Sequence, residues 1–242
     1  MWTGVTCLSG FVVAVDIRST QLTGTISTSI GLLTSLSYLA ATNNKLTGSF
    51  PNWIWNLSSM NYLYLDGNHL KGTISSTVGL NTNLLVIEFG GNSLTGTIPT
   101  TIGLLSRLSV LTLSIGKLSG TIPTEIINMT SLYALKSHSN RLSGSIPSQL
   151  FLLSKLKLCF LYNNQLTGTI PNALTLNSGI QEMNINYNYL TGTIPEDIGN
   201  CSSFLRLGLS SNKLTGTLPS SITTLTGLQY LYLSDNKLTG SL

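Results

Sequence analysis

Residues 161–171 read LYNNQLTGTIP, and residues 209–219 read LSSNKLTGTLP. The two stretches match column by column, and between them stands a further copy. The triplet Leu-Thr-Gly, or a variant with Ser or Lys in the middle, begins at Leu22, Leu46, Leu70, Leu94, Leu118, Leu142, Leu166, Leu190, Leu214 and Leu238, evenly spaced with no insertion or deletion. Four residues after each of these leucines the position is apolar, from Ile26 and Phe50 to Leu218 and Leu242. One residue further on stand Pro51, Pro99, Pro123, Pro147, Pro171, Pro195 and Pro219, all 7 prolines of the chain, with Ser27 and Ser75 in the remaining complete coils. Two residues before each leading leucine is an Asn, except for Thr20 and Gly116. Ahead of it lies an alternating stretch such as Leu63-Tyr64-Leu65, the period-2 signature of a strand with one buried face.

A regular repeat of this size governs every other reading. A coil this short cannot bury its own apolar stripe, so coils must stack, with strands pairing in parallel. Ten coils then make a rod roughly 45 Å long at about 4.7 to 4.9 Å per strand. An inward Asn has a donor and an acceptor for backbone groups left unpaired at the bend after the strand, and stacking turns such residues into a ladder. The Gly of each triplet marks a place where the backbone needs room or an unusual φ, and the Pro fixes the turn that follows.

The pattern L-x-x-L-x-L-x-x-N-x-L-T-G-x-I-P, running through nearly the whole chain, resembles the plant-type, 24-residue subclass of extracellular leucine-rich repeats. The resemblance implies an α/β-type repeat solenoid, mostly parallel β with short 3-10 or irregular convex segments. It further implies a right-handed curved superhelix, a parallel sheet on the concave side, and a second short strand after the Leu-Thr-Gly segment. The expected organisation is one solenoid over residues 1–242. Residues 1–11 resemble the remnant of a cysteine-paired N-terminal cap (Trp2-Thr3-Gly4-Val5-Thr6-Cys7), Phe11 to Ile17 form the first strand, and the tenth coil has no C-terminal cap. Met1 therefore reads as a fragment boundary. Cys159 takes a buried strand position and Cys201 lies in Gly199-Asn200-Cys201-Ser202-Ser203; both read as buried thiols.

Composition narrows the function. Hydrophobic residues make up 42% and charged residues only 8%, while Ser and Thr supply about a quarter of the chain, so the expected surface is one of hydroxyls and amides. The net charge of +4 comes from scattered side chains with no basic run to follow a phosphate backbone, which argues against nucleic acid as a partner. No apolar run reaches the roughly 18 to 20 residues of a membrane span. The 8 acidic residues are scattered and His69 and His138 lie about three coils apart, so no catalytic group, metal site or cofactor is expected.

Three sets of columns can carry function. The first is the concave face, expected to present Tyr38, Tyr62, Tyr64, Asp66, Glu88, Lys136, His138, Phe160, Tyr162, Tyr187, Arg206, Tyr230 and Tyr232. Aromatic rings with polar tips and a few charges suit recognition of a protein, peptide or glycan, although tyrosines also simply tolerate half-exposed strand positions. The second is the stripe around each Gly, with Thr23, Thr25, Thr47, Thr73, Thr95, Thr97, Thr121, Thr167, Thr169, Thr191, Thr193, Thr215 and Thr217 and with Ser at most of the other positions. Residues two apart in an extended segment share a face about 6.6 Å from each other, so a flat two-file grid is expected. Such grids resemble ice-binding solenoids, while recent duplication or β-propensity gives the same uniformity. The third is the set of N-glycosylation sequons at Asn56, Asn128 and Asn200, three coils apart each time and in one phase of the coil, which suits a secreted or cell-surface glycoprotein. The sequence thus favours an extracellular binding scaffold. The alternatives are an ice-binding protein and a filament subunit that self-associates end to end.

Overall fold

The computed structural model describes residues 3–240; Met1, Trp2, Ser241 and Leu242, which the readings above include, lie outside the described residues. An 11-stranded sheet runs the length of the molecule. Its first two strands, Val5–Leu8 and Phe11–Asp16, form an antiparallel hairpin. From Phe11–Asp16 onward every neighbour is parallel, and strands such as Tyr62–Tyr64 and Val86–Glu88 pair one full repeat apart. The segment resembling a cap remnant therefore adds a strand to the main sheet.

Across the coil lie, among the described residues, nine five-residue 3-10 turns, from Thr28–Leu32 to Ser220–Thr224. Seven of them start from one of the repeat's prolines, whose fixed φ pre-sets the turn. The two coils without proline use a side chain instead: Ser27 and Ser75 accept the N–H of Ser29 and Thr77 at 3.2 Å. No helix among the described residues is long and apolar enough to cross a membrane.

One continuous cluster of buried apolar side chains extends from Leu36 to Leu225. The central residue of each strand supplies one file, including Leu39, Leu63, Ile87, Leu111, Leu135, Cys159, Met183 and Leu207, all buried. Burying a large apolar side chain of this kind is worth roughly 1.5 to 3 kcal/mol. Near the start of the rod the core is filled out by Phe50, Trp55 and Phe89, whose rings meet at centroid distances of 4.7 to 5.9 Å.

The Asn ladder forms as its chemistry requires. Asn164 accepts the Leu142 N–H at 3.0 Å and donates to the carbonyls of Ser137 and Leu161, both at 3.0 Å. The same three contacts recur from Asn44 to Asn236. Thr20 closes the ladder at one end by donating to the Ile17 carbonyl. Gly116 interrupts it, so the Leu94 N–H has no Asn oxygen to meet. The residue before each ladder position takes positive φ throughout, from Ser19 and Asn43 to Asp235. At Ile115 this left-handed conformation (φ +57°) falls on a β-branched side chain.

Candidate functional site

The outer face of the main sheet carries the first and third residue of each strand and the residue two further on. In the first coils Tyr38 packs against Tyr62 and Tyr64 at centroid distances of 6.1 and 5.6 Å. Next to them Asp66 accepts the Thr42 hydroxyl at 2.8 Å. Glu88 is half-buried, and its carboxyl is held above its ordinary pKa by burial first and by the Asp66 charge second. Burial also raises the Tyr64 phenol.

Farther along, Lys136, His138, Phe160, Tyr162, Arg206 and Tyr232 surround a depression of about 460 Å³. His138 stacks on Tyr162 with ring centroids 4.2 Å apart and planes 8° off parallel. Burial, and then the Lys136 charge, hold the imidazole below its ordinary pKa. The Arg206 guanidinium lies 4.7 Å from the Tyr230 centroid and 4.0 Å from the Glu182 carboxylate. The floor is open because of Gly208: a Cβ there would stand 2.9 Å from the Oδ1 atoms of both Asn184 and Asn186. Those oxygens accept the N–H groups of Asn186 and Ser210 at 3.1 and 2.7 Å, which fixes both amides.

Twelve of the thirteen expected recognition residues lie on this face. Tyr187 is the exception: the strand ends at Asn184, and Tyr187 stands in the left-handed turn after it, exposed at the edge of the face. Sequence reasoning misses the exposed Ile115 on the same edge, and Tyr189, whose ring lies 5.1 Å from the Lys213 ammonium. The Gly116 exception in the Asn column is the signal that this coil departs from the others.

The threonine stripe takes a different form from the expected flat grid. In the second layer of short strands Thr25 pairs with Thr47, Thr73 with Thr95 and Ser145 with Thr167, each offset falling two residues short of the repeat, so the two files are sheared by two residues from coil to coil. The files also differ chemically. Before the Gly, hydroxyls donate to the carbonyl of the previous coil's Gly: Thr47 to Gly24 at 3.1 Å, Thr95 to Gly72 at 3.2 Å and Thr191 to Gly168 at 3.2 Å. After the Gly, the side chains from Thr25 to Thr217 are exposed, and the threonine methyls point at the glycine of the next coil. Asn56, Asn128 and Asn200 are exposed on the far side of the coil, each the last residue of a 3-10 turn. Among the described residues no three His, Cys, Asp or Glu side chains group where a metal could sit.

Two family models described as leucine-rich repeat match the chain, one over residues 12–70 and the other over residues 179–201, 203–225 and 227–242, together half of its length. The chain belongs to the leucine-rich-repeat family. Among solved structures, this leucine-rich-repeat rod is similar to the ectodomain of the plant membrane receptor kinase GASSHO1/SCHENGEN3 from Arabidopsis thaliana, determined in complex with CASPARIAN STRIP INTEGRITY FACTOR 2: 37% identity, TM-score 0.97, covering 100% of this chain and 29% of that one. It is also similar to the Arabidopsis receptor kinase HAESA ectodomain in complex with an N-terminally extended IDA peptide hormone (31% identity, TM-score 0.68, 99% of this chain and 49% of that one). A third similar structure is a plant ice-binding protein (26% identity, TM-score 0.87, 99% and 78%). The chain thus spans less than half the length of either receptor ectodomain. No curated protein sequence matches it.

Proposed function

We propose that this leucine-rich-repeat rod is an extracellular or cell-surface binding scaffold that recognises an extended peptide or a protein segment along its concave face. The observation that carries this reading is the depression floored by Gly208 and walled by Phe160, Tyr162, Tyr232, Lys136 and Arg206. Aromatic walls give contact area at low entropic cost, and the two cations orient a polar guest. The complex of the similar HAESA ectodomain with the IDA peptide hormone adds support.

The test is selection of random peptides against the folded chain, followed by titration of the enriched sequences. Changing Tyr62, Tyr64, Phe160 and Tyr162 together to Ala is expected to weaken binding at least tenfold, since single aromatic anchors are commonly worth about 2 kcal/mol. Unchanged affinity in that variant, or no enrichment at all, rejects the concave-face reading.

A second reading, ice binding, is favoured by the rank of exposed Thr and Ser side chains from Thr25 to Thr217 and by similarity to the plant ice-binding protein. The shear between the files and the use of the other hydroxyl file by glycine carbonyls weigh against it. Growth of ice crystals in the presence of the protein decides the matter: unshaped crystals and unhindered recrystallisation dismiss it.

A further inference from the structure

The last residue of each 3-10 turn occupies one column, and reading along the rod it is Leu32, Asn56, Leu80, Leu104, Asn128, Leu152, Leu176, Asn200 and Thr224. The five leucines are between 50% and 80% exposed. They form a line of large apolar side chains on the convex side, a feature that soluble proteins usually confine to contact surfaces. The three asparagines that interrupt the line are the three sequon asparagines. Every leucine in it lies one coil from such an Asn: Leu32 and Leu80 flank Asn56, Leu104 and Leu152 flank Asn128, and Leu176 precedes Asn200.

We propose that Asn56, Asn128 and Asn200 carry N-linked oligosaccharides, and that these cover the leucine file and keep the convex side from associating with itself. The local geometry suits the modification. Each asparagine is exposed, as is the hydroxyl residue two positions on (Ser58, Thr130, Ser202), while the residue between them (Leu57, Met129, Cys201) is buried and pins the segment to the core. Every coil from Thr34 to Thr226 keeps Ser or Thr at that hydroxyl position. Whether a coil is a sequon therefore depends only on the residue in the leucine file, and the asparagines fall on every third coil. That spacing is about 14 Å along the rod, which places every leucine of the file on a coil adjoining a sugar chain that can overhang it.

The transfer needs an oligosaccharyl diphosphate lipid as donor. The Asn Nδ2 forms a bond to the anomeric carbon of the first sugar, the bond from that carbon to the diphosphate oxygen breaks, the lipid diphosphate leaves, and the amide gives up one proton with no change in oxidation state. The inference rests on passage through the secretory compartment and is independent of the concave-face reading. A glycosylated chain that binds no peptide leaves it intact, and a secreted chain without sugars overturns it alone.

The experiment begins with the chain secreted from a eukaryotic cell and weighed intact. Three glycan masses are expected, one lost in each of N56Q, N128Q and N200Q. The folded glycoprotein is then trimmed enzymatically to a single sugar per site and followed by light scattering. A shift from monomer to oligomers is expected, and the same trimming of L80S/L104S/L152S/L176S should leave a monomer; where the fourfold variant is not secreted, L104S alone should reduce the association. Absence of sugar at all three sites, a trimmed protein as monomeric as the untreated one, or leucine variants that associate as strongly as the parent would each overturn the proposal.

Discussion

A Cβ placed on Gly96 would stand 2.8 Å from the γ-methyl of Thr73 in the preceding coil. The same contact recurs between Thr25 and Gly48, Thr97 and Gly120, and Thr193 and Gly216. The uniform threonines of the stripe therefore have a packing cause: each methyl sits over the next coil's glycine. Gly96 also has φ +79°, a conformation costly for any residue with a Cβ. Gly96→Ala combines overlap with backbone strain and should destabilise by about 2 kcal/mol, whereas Thr73→Ser should cost well under half of that. Chemical denaturation of both variants measures the ratio.

Loss of one ladder residue should be felt by several backbone groups together. Asn164→Ala leaves the Leu142 N–H without its partner and removes one of two amide donors from each of the Ser137 and Leu161 carbonyls, which keep Asn140 and Asn188 respectively. With one buried group stranded and two carbonyls each losing a donor, a loss of about 2 kcal/mol is expected. A drop below about 1 kcal/mol in urea unfolding would show that water repairs the gap.

Ile115 bears the opposite sign. Its exposed side chain contributes little to the core, and its left-handed backbone is one that Asn adopts at equivalent positions such as Asn43 and Asn163. Ile115→Asn should therefore stabilise by about 1 kcal/mol, visible as a higher unfolding midpoint.

Thiol chemistry should distinguish the three cysteines. Burial pushes the Cys159 thiol up to about 12 and the Cys201 thiol up to about 11, and both side chains lie in the core, whereas Cys7 is exposed. Alkylation at mildly alkaline pH should label one cysteine in the folded protein and all three after denaturation; mass spectrometry of the peptides counts them.

The stability contributed by Glu88 should depend on pH. Its folded carboxyl is raised above the ordinary value, so the folded state holds that proton more readily than the unfolded chain, and the associated stability is present at low pH and lost as pH rises through the folded value. Glu88→Gln should raise Tm at neutral pH and make no difference below about pH 4. An equal gain at both pH values would point to packing instead of charge.

Much of this architecture is legible in the repeat, because a fixed period forces equivalent residues into equivalent surroundings. Leu63, Asn164 and Pro171 announce their places by recurrence alone. The departures are harder to read. The shear of the second strand layer is a matter of pairing register, and the pairing of Thr25 with Thr47 has no marker in the spacing of threonines. The Gly208 depression depends on a side chain that is missing, and the position of Tyr187 depends on the strand ending three residues earlier. The convex leucine file is equally visible in the columns but passes unnoticed until exposure separates Leu80 and Leu104 from the many buried leucines.

The missing rung at Gly116 has a mechanical consequence. Coils in such a rod touch only their nearest neighbours, so unfolding follows a one-dimensional lattice whose couplings act in series. A weaker coupling after the fourth coil splits that lattice into a shorter and a longer cooperative block, and a stretching force or rising heat should open the molecule first at the seam beside Leu94.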